Sequence, residues 1–154
     1  MKELFRYKMM YFIHDNAILR KLKNPYKILK DIGIKENIVV LDLGSGPGFY
    51  TIPAAKIVGP KGKIYALDIY YKSGEIIKRK MEIENISNIE FLLESAEKTS
   101  LSDLFIDYII IFGLVHIIEG LRYFKIEMKR ILNYNGKLAI EKDPLLRKKD
   151  VISS

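Results

Sequence analysis

The stretch Val40-Leu41-Asp42-Leu43-Gly44-Ser45-Gly46-Pro47-Gly48 decides how this chain is read. An apolar run stops at an acid and breaks into glycines at every second position. A buried strand that ends in such a turn and leads into a helix is the arrangement by which α/β proteins bring backbone against a nucleotide-like ligand. The spacing narrows the ligand. A dinucleotide fingerprint requires its third glycine three residues after the second, and that position holds Phe49. The pattern is Asp-x-Gly-x-Gly-x-Gly instead.

Outward from this turn, strands and helices alternate. Ile38 to Leu43 reads as a strand buried on both faces. Phe49 to Val58 reads as a helix, with Pro53 in its first turn, where a missing N–H is tolerated. Gly59-Pro60-Lys61-Gly62 is a turn. Lys63 to Leu67 is a second strand ending at Asp68, and Lys72 to Glu84 an amphipathic helix. Ile89 to Leu93 and Ile106 to Phe112 are the third and fourth strands. Glu119 to Leu132 forms a helix with Leu121, Phe124, Met128, Ile131 and Leu132 on one side. Asn135-Gly136 turns into a fifth strand, Lys137 to Ile140. Upstream, Asn24 caps a helix with Pro25 at its first position, Tyr26, Ile28, Leu29 and Ile32 as its stripe and Gly33 as its stop. Leu4 to Leu22 is expected to add one or two short helices.

This order predicts an α/β fold with a doubly wound, mostly parallel, Rossmann-like sheet of about five strands. Right-handed crossovers place all strand C-termini on one edge. Asp42, Asp68, Ser95, Phe112-Gly113 and Glu141 then converge on the rim where open α/β sheets bind ligands. Asp107 stands at the opposite end, at a strand start, where a capping role is expected.

Bulk composition sets limits. The 154 residues suit one domain. The expected division is N-terminal helices over 1–35, a cofactor-binding core over 36–142 and a tail over 143–154. With 49 % apolar and 29 % charged residues the composition is that of a globular protein. No run reaches the roughly 18 apolar residues of a membrane span, and Met1-Lys2-Glu3-Leu4-Phe5-Arg6-Tyr7 does not read as a secretory leader. A cytoplasmic protein is expected. The absence of cysteine excludes disulfides, a thiolate nucleophile and a Cys-ligated metal; no metal is expected. The net charge of +7, from 26 basic and 19 acidic residues, is scattered and reads as a solvated surface rather than a nucleic-acid footprint.

The glycine motif, Asp68 at the end of the next strand, and three later segments resemble class I S-adenosylmethionine-dependent methyltransferases. Those segments are Asn88 to Glu97, Phe105-Ile106-Asp107-Tyr108 with Phe112 to Ile117, and Arg130-Ile131-Leu132-Asn133-Tyr134-Asn135-Gly136-Lys137-Leu138. The resemblance covers about residues 25 to 142 in order. It implies a site in which Gly44, Ser45, Gly46 and Gly48 admit the methyl donor S-adenosylmethionine against backbone. Asp42 would serve its amino group or merely cap the turn. Asp68 would accept both ribose hydroxyls, with Ile69 on the adenine face. Ala96 would offer its N–H to the adenine edge, and Phe112 and Gly113 would back the methionine portion. His116, just past the fourth strand, is the candidate catalytic base, with a structural role as the alternative. Tyr7, Tyr11 and His14 would pack on the core or form a lid.

Departures from the family pattern temper this. Ser95 stands where an acid usually reads the adenine amino group. Ser73-Gly74 replaces bulkier residues early in a helix, at a cost of about 1 kcal/mol for the glycine relative to Ala. The family's C-terminal antiparallel hairpin is expected to be missing or truncated, since Lys142 to Ser154 is too short for it. The fifth strand's open edge would then pair in a homodimer or be covered by the last residues. The implied reaction is in-line methyl transfer to a small molecule, with RNA and protein acceptors remaining open. Without an Asn/Asp-Pro-Pro-Tyr sequence or a cysteine, DNA amines, cytosine C5 and thiolate-bound arsenic are disfavoured. The rival reading is a non-catalytic S-adenosylmethionine-binding module, a degenerate relative.

Overall fold

A computed structural model describes residues 24–112 and 121–140. In chain order the elements are α1 (Pro25–Asp31), β1 (Val39–Leu43), α2 (Thr51–Val58), β2 (Lys63–Asp68), α3 (Tyr71–Glu84), β3 (Ile89–Leu93), β4 (Ile106–Ile111), α4 (Leu121–Ile131) and β5 (Leu132–Ile140). The five strands form one sheet in the order β3-β2-β1-β4-β5, and every pairing is parallel. The expected doubly wound Rossmann-like architecture is present, and no antiparallel hairpin joins the sheet among the described residues. Leu43, Asp68, Leu93, Ile111 and Ile140 therefore end on one edge.

Strand alternation sorts the core into two halves. Val40, Ile64, Ala66, Tyr108 and Ile110 face Leu29 of α1, Ile52, Ala55 and Val58 of α2, and Ile77 of α3. Leu41, Leu43, Leu67, Ile109 and Ile111 face Phe124, Met128 and Ile131 of α4. The central strands are thus apolar on both sides, which is why they read as unbroken hydrophobic runs. The α1 cap is as expected: Lys27 N–H donates to Asn24 Oδ1 at 3.2 Å, and Gly33 follows with φ 96°.

Three expectations shift. Helix α2 begins at Thr51, so Phe49 and Tyr50 belong to the turn before it. Strand β5 begins at Leu132, five residues before Lys137. Ile106 pairs with Leu132 and Tyr108 with Lys137, so β5 advances five residues while β4 advances two. The expected Asn135-Gly136 turn is therefore a bulge inside a strand. Asp107 stands at the irregularity, between the paired residues Ile106 and Tyr108. Its carboxylate accepts from Val39 N–H at 2.8 Å, capping β1, and also from the Asn133 side-chain amide. Finally, Gly74 has a packing reason: a Cβ there would lie 2.5 Å from the Phe91 ring.

The connection from β3 to β4 carries Ser95 and Ala96, and it is anchored from α4. Glu127 accepts from Thr99 N–H and Thr99 Oγ1, both at 2.7 Å, while Arg130 donates to Glu127 and to the Leu101 carbonyl, each at 2.8 Å. The Arg130 guanidinium holds the Glu127 carboxyl down to about 2.

Candidate donor site at the strand ends

The glycine turn lies at the centre of the rim, between the ends of β1 and β2. Its amides face inward. Gly44 N–H and Ser45 N–H both donate to the Leu67 carbonyl, at 2.8 and 3.0 Å. Gly46 N–H donates to Asp68 Oδ2 at 2.8 Å. Gly48 N–H donates to the Ser45 carbonyl at 3.0 Å. In a diphosphate cradle such amides point at the ligand; here those of Gly44, Ser45 and Gly46 join the turn to β2 and that of Gly48 closes the turn on itself.

Two glycines are demanded by geometry. Gly46 has φ 49°, a left-handed conformation that favours glycine, and no described residue stands within 4 Å of where a Cβ would lie. Gly48 has φ 85°, and a Cβ would meet Ile77 Cγ1 at 3.0 Å. Between Gly44 and Gly46, Ser45 is only 6 % exposed, and its hydroxyl has no hydrogen-bond partner among the described residues. A buried hydroxyl without a partner costs about 1–3 kcal/mol, which marks this atom as a candidate contact for a polar group.

The two acids behave differently. Asp42 is 3 % exposed and, alternating with Leu41 and Leu43, lies on the face of the sheet that packs on α1–α3. Thr51 Oγ1 donates to its Oδ2 at 2.5 Å. Burial, against the Thr51 bond and aided by the Asp68 charge, lifts its carboxyl from 3.8 to about 7. Asp68 is 8 % exposed. Burial raises it too, opposed by donors from Tyr70 N–H, Gly46 N–H, the Ser73 hydroxyl and Ile69 N–H. Next to it Ile69 is 64 % exposed, an apolar surface open at the rim.

Around them, Phe112 packs on Tyr50, ring centroids 4.6 Å apart at 68°, and Tyr50 on Phe49 at 4.9 Å. These rings wall the turn on the β4 side. Ser95 is turned onto its own loop, where its hydroxyl accepts from Glu97 N–H at 3.3 Å. Ala96 is half-buried against the core on the α4 side. The described residues thus bring Asp42, Gly44, Ser45, Gly46, Gly48, Asp68 and Ile69 together, with Ser95, Ala96 and Phe112 on the neighbouring strand ends. Gly113, His116, Glu141, Tyr7, Tyr11 and His14 lie outside the described residues. Sequence reasoning missed Thr51 and the support from Ser73 and Lys80 of α3. Their signal was faint: a threonine at a helix start nine residues after the motif acid, and polar residues in helical step with Ile77.

Residues 34–148 match the methyltransferase domain family. The chain belongs to that family. Its fold is that of the class I S-adenosylmethionine-dependent enzymes. It is 31 % identical over 111 residues to a demethylmenaquinone methyltransferase of Staphylococcus aureus, covering 71 % of this chain and 45 % of that protein. The chain thus spans about half the length of such relatives. A SAM-dependent methyltransferase structure from Aquifex aeolicus superposes with TM-score 0.79 at 31 % identity, covering 96 % of this chain and 80 % of the other. A Pyrococcus horikoshii protein with TM-score 0.74 and 23 % identity, covering 91 % and 65 %, shares the fold.

Asp42 sets a pH dependence. With its carboxyl at 3.8 unfolded and about 7 folded, the native state holds an extra proton between those values. Stability is full below about pH 4, falls as pH rises toward 7, and levels off above. Asp42→Asn removes this slope and can still accept from Thr51. Urea unfolding from pH 4 to pH 8 is expected to show the variant gaining roughly 2–4 kcal/mol on the wild type across this range. Parallel profiles for the two proteins would contradict the assignment.

Proposed function

We propose that this chain binds S-adenosylmethionine at the glycine turn and transfers its methyl group to a small-molecule acceptor. The observation that carries this reading is the inward direction of the turn's amides, which join it to Leu67 and Asp68. Such a turn offers a ligand its Cα surfaces and the buried Ser45 hydroxyl, and suits a donor that has no diphosphate. When bound, S-adenosylmethionine supplies a methyl group already activated on a sulfonium, so the protein's work is orientation and exclusion of water.

In this reading Asp68 accepts the ribose hydroxyls and Ile69 covers one adenine face. Ala96 N–H takes the adenine edge. Ser45 Oγ bonds the amino-acid end, and Asp42 acts on the ammonium from beneath the turn; a cation there favours its ionised form. Phe112 and Gly113 flank the methionine portion. His116 is the candidate base, needed only where the acceptor loses a proton. The acceptor class follows the Staphylococcus aureus relative, whose name specifies a small molecule. A second reading, a binding module without turnover, is favoured by Ser95, whose hydroxyl is engaged in its own turn where the family places an acid. The proposal extends to one domain over residues 1–154 and a cytoplasmic location. None of the described helices is long and apolar enough to cross a membrane.

Calorimetry tests the donor site. The wild type is expected to bind S-adenosylhomocysteine, and Asp68→Asn to weaken binding by about 10- to 100-fold, the range for hydrogen bonds to a charged group. Equal binding by both would remove Asp68 from the site. Donor consumption across a panel of small acceptors separates the enzyme from the module.

Homodimer formation through β5 belongs to the same proposal. Among the described residues β5 pairs only with β4, and its Tyr134 is 90 % exposed, with Leu138 and Ile140 partly so. Open, apolar strand edges are normally paired or covered. Sedimentation is expected to give a dimer at micromolar concentration that Leu138→Glu dissociates; a wild-type monomer would contradict it.

A further inference from the structure

Helix α3 touches both halves of the candidate donor site through one face. Ser73, Ile77 and Lys80 stand at i, i+4 and i+7, which brings them into line along a helix over about 10 Å. At the N-terminal end, Ser73 is fully buried two hydrogen bonds from the acid, its N–H donating to the Tyr70 carbonyl and Tyr70 N–H to Asp68 Oδ1, each at 3.0 Å, and its hydroxyl helps to hold the Asp68 carboxyl down. One turn on, fully buried Ile77 lies against Gly48, close enough that a Cβ there would meet it at 3.0 Å. Two turns on, Lys80 Nζ donates to the Pro47 carbonyl at 2.9 Å. Asp68 in turn accepts from Gly46 N–H. The acid at the end of β2 and the turn at the end of β1 are therefore held to each other and to the same helix.

Neither polar contact is what packing alone requires. A lysine in the middle of an amphipathic helix ordinarily sends its ammonium to water; this one is partly buried on a backbone carbonyl of the turn. A fully buried serine in the first turn of the helix adds nothing to the apolar core, and its hydroxyl instead favours the charged form of a carboxylate that burial would otherwise disfavour. Pro47 cannot donate, so its carbonyl is the only polar backbone group through which that residue can be fixed.

We propose that Ser73 and Lys80 are positioning residues of the donor site, Ser73 orienting Asp68 and Lys80 fixing the turn at Pro47, so that α3 carries both halves as one preorganised unit. The proposal rests on the reading of this rim as the donor site. Preorganisation of this kind raises affinity by reducing the ordering cost at binding. The two residues act on different ends of the ligand: Ser73 on the ribose, Lys80 on the amino-acid portion above the turn.

The test uses the full chain with Ser73→Ala, Lys80→Met, which keeps the aliphatic stem, and Lys80→Arg, which keeps a donor. Amide hydrogen exchange in the ligand-free protein reads the brace directly. Gly46 is expected to exchange about tenfold faster in Ser73→Ala and Gly48 about tenfold faster in Lys80→Met, while strand amides such as Ile64 and Ile109 stay within about twofold. Lys80→Arg restores Gly48. Unchanged turn amides, or strand amides accelerated equally, overturn the proposal; the latter result marks a purely structural role. Binding then reads the division of labour. Ser73→Ala is expected to weaken both S-adenosylhomocysteine and 5′-methylthioadenosine, which lacks the amino-acid end. Lys80→Met is expected to weaken S-adenosylhomocysteine about tenfold and leave 5′-methylthioadenosine nearly unchanged. Equal effects on both probes in both variants overturn the assignment. A wild type that binds neither probe defeats the donor-site reading, while the amide comparison still decides for or against the brace.

Discussion

The hydrogen bond from Gly46 N–H to Asp68 Oδ2, 2.8 Å long, joins the turn after β1 to the end of β2. Much of the site follows from it. It fixes the direction of the turn's amides, it places a carboxylate at the strand end, and it gives that carboxylate a donor that offsets its burial. Gly44 and Ser45 reinforce it from the Leu67 carbonyl. A turn tied down in this way cannot wrap an anion with the same N–H groups. What it leaves toward a ligand is glycine surface and a Ser45 hydroxyl that has no partner among the described residues.

Two carboxylates buried near each other are costly, and the cost is met differently at each. Asp42 accepts from Thr51 Oγ1, and burial lifts its carboxyl to about 7. Asp68 collects several donors that oppose its upward shift. One acid is therefore easily protonated in the free protein and the other is better supported as a charge. A cationic ligand over the turn would tip the first toward ionisation, which couples the state of Asp42 to occupancy. The parallel sheet makes this possible by bringing both acids to one edge, and the α3 face of Ser73, Ile77 and Lys80 backs that edge.

How much of this could be read in advance depends on range. The strand Ile89–Leu93 is found residue for residue, because an apolar run between polar residues is a local signal. The cap at Asn24 and the stop at Gly33 are local too. The start of β5 is not legible, since it depends on pairing with β4, where Ile106 meets Leu132 and Asn133 reaches Asp107 across 26 residues of sequence. Gly74 looked like a defect of its helix until Phe91, on another element, supplied the reason. At the site, the glycine spacing and the acid at the next strand end were visible as a pattern. The inward direction of the amides, the Thr51 bond beneath Asp42 and the reach of Lys80 to Pro47 were not, because each depends on how separate elements pack.

A turn built for a diphosphate-free nucleoside donor should distinguish S-adenosylhomocysteine from NAD in an amide-resolved NMR titration of the ¹⁵N-labelled chain. S-adenosylhomocysteine is expected to shift the amide signals of Gly44, Ser45, Gly46, Gly48 and residues 68–70 together, in one saturable transition, while NAD leaves them in place. Shifts at those amides with NAD and none with S-adenosylhomocysteine would overturn this reading of the turn.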